Sequence, residues 1–294
     1  MLETICDVSS RIGECPNWDE HDGKLYWIDL LDSQLHSFAM KNNRTQSIRL
    51  PAKPASFTFW NNTDLLITMG GGFYRLGKHE DKPQLYMNTA LPDYGKERFN
   101  DGKCDAFGRF WVGTADRNGH TGSGWLYCLE PSGRFRRVLP NMCMSNGIAW
   151  SPSQTEMYHI DSLQKVVYSF KYAIETGTLS ARRILIDFTA QDSLPDGLTV
   201  DEEGALWVAH WGGYKVTRHD PTTGALLDQI TLPVANVTSC MFGGENLNEL
   251  FITTADEGLS ADHLLQQPKA GCVFRVKPGV RGMPMNRFTG ILNL

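Results

Sequence analysis

The sequence repeats one short apolar motif six times, and this repetition constrains the fold more than any other feature. The copies begin at Leu25, Leu65, Phe110, Met157, Leu206 and Leu250, so that successive copies lie 40–49 residues apart. Each copy is rich in aromatic and β-branched residues, which suits a buried strand better than a helix. A period of about 40–50 residues with several strands per repeat is typical of the blades of a β-propeller.

A second apolar motif follows each copy of the first. Its copies are residues 35–38, 73–76, 126–129, 167–170, 216–219 and 273–276. Two motifs that recur in step predict an all-β fold, a six-bladed β-propeller with four antiparallel strands in each blade. The alternative is an open β-sandwich with accidental spacing. Because each repeat needs its neighbours to bury its faces, a single domain over residues 1–294 is expected.

The N-terminal segment is expected to close the ring. Residues 1–12 contain a candidate strand, and a propeller that did not close would leave an exposed sheet edge. We therefore predict that this segment completes the last blade beside residues 273–276, the alternative being a frayed tail. Residues 259–268 are predicted to hold one or two helical turns, with Ser260 as the N-cap.

The charge and the apolar pattern of the sequence argue against several classes of partner. The formal net charge of −5 and the lack of a Lys/Arg run argue against a nucleic-acid partner. No stretch approaches the roughly 18 apolar residues of a membrane helix, and the N-terminus does not resemble a signal peptide. The number of cysteines, seven, is odd, and no two of them form a CxxC pair, which indicates reduced thiols. The expected protein is cytoplasmic and does not bind membranes, and the sequence leaves open whether it forms a homodimer.

Polar residues recur nine to eleven positions before each copy of the first motif. They are Glu14, Ser56, Asn100, Asn146, Asp196 and Ser239. Equivalent positions of the blades lie at one height, which predicts a ring of these side chains at one mouth of the central channel. Two carboxylates and two amides without thiolates or imidazoles are typical of a site for a hard divalent cation. Glycines beside Asn146 and Asp196 are expected to let the backbone turn sharply there.

Each of these residues also has a simpler interpretation. Asn-Gly and Asp-Gly pairs are common in turns, and Glu14 could lie on a surface loop. His159 and His210 lie inside strand motifs, and we interpret them as packed side chains rather than ligands. Asp29 and Asp161 end equivalent strands, where a turn-capping role is expected.

Seven short segments, spread over the whole chain, form a specific combination. They are residues 13–16 (Gly-Glu-Cys-Pro), 98–103 (Arg-Phe-Asn-Asp-Gly-Lys), 108–114, 145–147 (Ser-Asn-Gly), 195–197 (Pro-Asp-Gly), 238–244 and 267–271. In these segments the sequence resembles the SMP-30/gluconolactonase/regucalcin-like family. The resemblance implies a six-bladed propeller with one catalytic divalent metal ion at the channel mouth. It implies that Glu14, Asn146 and Asp196 hold the metal, that Asn100 lies near it and touches substrate, and that Arg98 binds substrate oxygens.

The segment after Thr114 departs from the family pattern. Animal members have an acidic pair there, and its second residue contacts sugar hydroxyls. Asn118 takes that place in this sequence, next to Arg117. Arg117 indicates a more anionic substrate or is a solvated loop residue, and both residues are candidate substrate contacts.

The resemblance implies hydrolysis of a sugar lactone to its aldonic acid. The metal (Ca, Zn, Mg, Mn or Fe(II)) would act as a Lewis acid and lower the pKa of a bound water. Asp196 is then a metal ligand, a proton acceptor or both, while Arg98 and Asn100 would stabilise charge on the carbonyl oxygen. Two alternatives stay open: a calcium-binding regulatory protein without turnover, and a metal-dependent esterase or phosphotriesterase.

Overall fold

The protein is a six-bladed β-propeller. The computed structural model describes residues 1–88, 91, 97–117 and 122–291. Over these residues the chain forms six four-stranded antiparallel sheets and one short helix. The predicted all-β architecture is therefore confirmed, and the open sandwich is excluded.

Five blades are each built from four consecutive strands, and the sixth combines both ends of the chain. The first strand, β1 (Glu3–Thr4), belongs to blade 6. Blade 1 contains β2 (Gly13–Asp19), β3 (Lys24–Asp29), β4 (Gln34–Ala39) and β5 (Arg44–Arg49); blade 2 contains β6 (Pro54–Trp60), β7 (Asp64–Met69), β8 (Gly72–Gly77) and β9 (Gln84–Asn88); blade 3 contains β10 (Glu97–Cys104), β11 (Phe110–Asp116), β12 (Gly124–Leu129) and β13 (Phe135–Met142). Blade 4 contains β14 (Ser145–Trp150), β15 (Glu156–Asp161), β16 (Val166–Ala173) and β17 (Thr178–Asp187); blade 5 contains β18 (Leu194–Val200), β19 (Leu206–Trp211), β20 (Lys215–His219) and β21 (Leu226–Thr231); blade 6 contains β22 (Asn236–Gly243), β23 (Glu249–Ala255), β24 (Phe274–Val276) and β1.

The N-terminal strand closes the ring as predicted. In β1, Glu3 pairs with Arg275 and Thr4 pairs with Phe274 of β24. The Arg275 guanidinium also donates to the Glu3 carboxylate at 2.7 Å. This strand covers the outer edge of β24, which would otherwise expose unpaired backbone groups.

The hydrophobic core lies between successive blades. One cluster joins Tyr26 and Ile28 of blade 1 to Phe57 and Phe59 of blade 2. Further clusters join the other blades in the same way, and Trp27 of blade 1 packs in a cluster with blade 6. The blades are thus held together by the apolar motifs, which leaves the strands nearest the axis free to carry polar side chains.

The first strand of each blade lies nearest the axis and contacts the corresponding strand of the next blade. These strands are β2, β6, β10, β14, β18 and β22. All six interrupt their pairing with a β-bulge at the predicted ring position or directly beside it. A bulge breaks the in-out alternation of a strand and redirects side chains, so the ring residues can face the channel from strands that are otherwise regular.

The expectations for the helix and the cysteines are also confirmed. The helix α1 (Ala261–Gln266) begins after Ser260, whose side chain accepts a hydrogen bond from the backbone N–H of His263. All seven cysteines are free. Over the described part of the chain, no helix is long and apolar enough to cross a membrane.

His210 is packed inside blade 5, and its burial predicts that the fold loses stability in acid. Its ring bonds Thr217 Oγ1 at 2.7 Å, and burial lowers its pKa from 6.5 to about 3. Because the folded protein resists protonation there, stability present above pH 6.5 is lost as the pH falls towards 3, at about 1.4 kcal/mol per pH unit. In urea unfolding between pH 4 and 6.5, His210→Gln should show a smaller slope of unfolding free energy against pH. Identical slopes in the variant and the wild type would contradict this.

Candidate functional site

Polar residues from blades 1, 3, 4 and 5 meet at the channel mouth. Glu14, Asn100, Asn146 and Asp196 are each at most 9% exposed. Asn146 Nδ2 donates to Asp196 Oδ1, which joins blade 4 to blade 5 directly. The charge of Asp196 also acts on Glu14 across the channel. Residues predicted from their spacing as one ring therefore do lie close together.

The hydrogen bonds of Asn146 define which atom its amide presents. Nδ2 donates both to Asp196 Oδ1 and to Ser162 Oγ, the latter at 3.0 Å. With both N–H groups used, the amide offers only Oδ1 to the channel. This orientation is the one a cation ligand requires, since the carbonyl oxygen is the electron-pair donor.

The two carboxylates each keep one oxygen free. Glu14 Oε2 accepts from the backbone N–H of Cys15 at 3.1 Å, and Asp196 Oδ1 accepts from Asn146. Within the described residues, Glu14 Oε1, Asp196 Oδ2 and Asn146 Oδ1 receive no hydrogen bond. Three oxygens without donors, on side chains that are each at most 9% exposed, form a set that suits a hard divalent cation.

The charges around the site fit the same cation. Burial and the charges of Asp196 and Asp101 raise the pKa of Glu14 well above its usual value. Burial and Asp101 likewise raise the pKa of Asp196 well above its usual value, although the bond from Asn146 opposes this. Such mutual repulsion is relieved when a positive ion enters between the carboxylates. Among the described residues, no three His, Cys, Asp or Glu side chains cluster as a metal site on their own, so the amide oxygen is needed to complete the set.

Asp101 belongs to this cluster, although it was not among the residues predicted from spacing. Its side chain is 8% exposed and accepts from Cys15 Sγ at 3.3 Å. The bulge in β10 spans two residues, between Phe99 and Gly102, so Asp101 faces the channel beside Asn100. The spacing rule assigned one residue to each blade and therefore missed it, although the acidic residue within Asn-Asp-Gly was a visible signal.

Lys103 supplies a positive charge on the far side of Asp101. Its Nζ donates to the backbone carbonyl of Leu198 at 2.7 Å, and Asp101 partly offsets the lowering of its pKa by burial. Three carboxylates against one ammonium leave two negative charges uncompensated, which matches one divalent ion.

Arg98 and Asn100 form a second unit next to the first. Arg98 Nη1 donates to Asn100 Oδ1 at 2.8 Å, and Asn100 Nδ2 donates to the backbone carbonyl of Ser145 at 2.8 Å. These two bonds fix the orientation of the Asn100 amide, with its nitrogen facing blade 4. The second N–H of Asn100 and the other N–H groups of Arg98 remain as donors at the channel mouth.

Two buried aspartates hold the strands that lead into the ring. Asp29 accepts from the backbone N–H groups of Arg11 and Ile12, just before Glu14. Asp161 accepts from those of Cys143 and Met144, just before Asn146. The predicted capping role is confirmed, since both also bond N–H groups of the turn that follows their own strand. Each aspartate therefore also connects the end of its own strand to the segment that leads into the inner strand of the same blade.

Two predicted ring members serve their own blades instead. Ser56 Oγ and the Ser56 backbone N–H both bond Thr68 Oγ1 at 2.9 Å. The carbonyl of Ser239 accepts from Thr253 within blade 6. Ser56 and Ser239 occupy the predicted ring positions. The carboxylates and amides of the ring come from the other four blades.

The glycines beside the ring have a role different from the predicted one. Gly147 and Gly197 are absent from the left-handed region, so neither makes the sharp turn that was expected. A Cβ on Gly147 would lie 2.5 Å from Leu198 Cβ, and one on Gly197 would lie 2.6 Å from Ser239 Cα. Glycine is required there because the inner strand of the next blade packs directly against the backbone.

A cavity of about 530 Å³ opens at the same end of the inner strands. Its lining includes Ile12, Pro54 and Arg98, which each precede a ring residue by two positions in the chain. Arg117 also lines it and donates from Nε to the Glu97 carbonyl at 3.2 Å. Of the predicted substrate contacts, Asn118 lies outside the described residues.

Sequence comparison gives the family. Residues 12–256 match the family described as SMP-30/Gluconolactonase/LRE-like region. The chain belongs to this family. It comprises sugar lactonases, gluconolactonases and regucalcin-like proteins, so the resemblance drawn from short segments is confirmed over most of the chain.

Individual relatives agree in length and shape. A Bacillus subtilis (strain 168) protein named "Putative sugar lactone lactonase YvrE" is 34% identical over 296 residues, covering 98% of this chain and 99% of the relative. Regucalcin of Gallus gallus is 35% identical over 297 residues, covering 98% of both chains. A solved structure of a calcium-binding regucalcin from Agrobacterium tumefaciens strain C58 superposes with a TM-score of 0.91 at 25% identity, covering 97% of this chain and 96% of that one.

Proposed function

We propose that this protein is a metal-dependent hydrolase that opens a sugar lactone to the corresponding aldonic acid. The observation that carries the proposal is the set of three unpaired oxygens on Glu14, Asn146 and Asp196, with the donors of Arg98 and Asn100 beside them. One half of the site suits a cation and the other half suits a carbonyl oxygen. Membership of a family that includes lactonases gives independent support.

Glu14, Asn146 and Asp196 would hold one divalent ion. When bound, the ion would supply Lewis-acid polarisation of the lactone carbonyl and a lower pKa for a coordinated water. A lactone is an activated ester, so no covalent nucleophile is required from the chain.

The chain's own groups account for the remaining steps. As water adds to the carbonyl carbon, the Asp196 carboxylate accepts its proton. The second N–H of Asn100 and the unused N–H groups of Arg98 donate to the oxygen on which negative charge develops. The ring C–O bond then breaks, and the departing oxygen takes the proton back from Asp196. The product is the open hydroxy acid.

Calcium binding without turnover is the second candidate, because a related solved structure is titled a calcium-binding regucalcin. The same oxygen set would serve it. Hydrolysis of aryl esters or phosphotriesters at this site is the third candidate, and a simple substrate panel separates all three.

Metal removal should abolish lactone hydrolysis. We expect the rate, followed with a pH indicator and corrected for spontaneous opening, to fall by about two orders of magnitude or more after chelation and dialysis. Adding back one of Ca, Zn, Mg, Mn or Fe(II) should restore it, and elemental analysis should find one ion per chain. Full activity in metal-free protein would contradict the proposal, whereas tight calcium binding without turnover of any lactone would favour the regulatory role.

A further inference from the structure

The cavity beside the ring is lined by positive charge, although the chain as a whole is negative. Lys53, Arg98 and Arg117 line it, and none of its described lining residues is acidic. The formal net charge of the chain is −5. Three cations around one cavity therefore form a local patch of positive charge on a negatively charged protein. The rest of the lining includes apolar side chains such as Ile12, Leu30 and Met69.

Two of these cations lack a negative partner. Among the described residues, neither Arg98 nor Lys53 forms an ion pair, and the hydrogen bonds of Arg98 go to the neutral oxygens of Asn100 and Phe99. Burial lowers the pKa of Arg98, and Arg117 lies near enough for its charge to lower that pKa further. A half-buried guanidinium that faces another cation is unfavourable without an anion nearby.

Opposite charges lie on the two sides of Asn100. The carboxylates of Glu14, Asp101 and Asp196 lie towards the axis, while Lys53 and Arg117 line the cavity. Once a divalent ion lies between the carboxylates, the first side carries no net charge, so a ligand with a negative group would be attracted by the second side. Such a ligand would be oriented with its negative group in the cavity and its other end at the ring.

We infer that the preferred substrate is a lactone that carries a second, negatively charged group at the end remote from the lactone carbonyl. The group would be a carboxylate, as in the lactone of a sugar dicarboxylic acid, or a phosphate. Arginine binds both through paired N–H donors. The cavity of about 530 Å³ accommodates a six-carbon lactone. This inference rests on the proposed lactonase function and assigns its substrate class.

The experiment compares three six-carbon lactones that differ only at the remote end: a neutral hydroxymethyl, a carboxylate and a phosphate. We expect kcat/KM for at least one anionic lactone to exceed that for the neutral one by about 10- to 100-fold, the size of a charge-assisted hydrogen bond. Arg117→Gln and Lys53→Gln should each reduce this ratio. The control Lys171→Gln changes an exposed cation that pairs with Glu156 on blade 4 and should leave all three rates unchanged.

Each outcome decides the inference. Preference for the carboxylate or for the phosphate supports it and identifies the group. A neutral lactone hydrolysed as well as both anionic ones overturns it while leaving the lactonase function intact. If no lactone is hydrolysed, calorimetry decides separately: a sugar dicarboxylate should bind more tightly than the monocarboxylate, and this difference should shrink in Arg117→Gln. Equal affinities would overturn the inference.

Discussion

Asp196→Asn should lose at least about 10³-fold in kcat/KM for lactone hydrolysis while the protein stays folded. The change keeps the size of the side chain and an oxygen that can accept from Asn146 Nδ2. It removes the charge that would hold the ion and the group that would accept the proton. Steady-state kinetics with the best lactone, together with metal content, would measure both losses.

The stability of this variant separates a functional role from a structural one. The metal-free variant should be at least as stable as metal-free wild type, because one of three mutually repelling buried carboxylates has been removed. The control Asp228→Asn lies on the exposed outer strand of the same blade and should keep full activity. A variant that retains wild-type turnover, or one that loses turnover only because it unfolds, would count against the role assigned to Asp196.

Gly197→Ala should destabilise the fold by about 3 kcal/mol, at the upper end of the range for overpacked cores. The added Cβ would lie 2.6 Å from Ser239 Cα and 2.5 Å from Ser239 Cβ. These atoms belong to the backbone of the next blade's inner strand and to its first side-chain carbon, so no rotamer change can relieve the contact. Denaturant unfolding would measure the loss of free energy.

Gly77→Ala is a matched control for this effect. A Cβ there would meet the carboxyl end of Glu80, and a flexible side chain can move away. We expect a change of less than about 1 kcal/mol for this variant. If the two alanine variants proved equally stable, close blade packing would not be the reason for glycine beside Asp196.

The architecture was predictable because it follows from a repeat in the sequence. Strand motifs that recur at a fixed period, as in the copies starting at Leu25 and Leu206, specify blades without any knowledge of the contacts between the blades. Ring closure by Glu3 and Thr4 followed from the cost of an open sheet edge. The order of the polar residues around the axis followed from the same period, which is why Glu14, Asn146 and Asp196 could be proposed together.

Details of the site were not predictable from spacing. Asp101 was missed because a two-residue bulge turns it inward next to Asn100. The reason for glycine at 147 and 197 was wrong, since contacts between blades and not local turns require it. A one-dimensional pattern contains neither bulge geometry nor the distance between backbones of separate blades.

The sequence by itself determined the number of blades, their order and the polar position on each inner strand, because these depend only on periodicity and residue type. The tertiary structure alone decided that Asn146 presents its oxygen, that Asp101 joins the carboxylates, and that Lys53 and Arg98 line one cavity. Those facts depend on hydrogen bonds and packing between blades that lie about 45 residues or more apart in the chain.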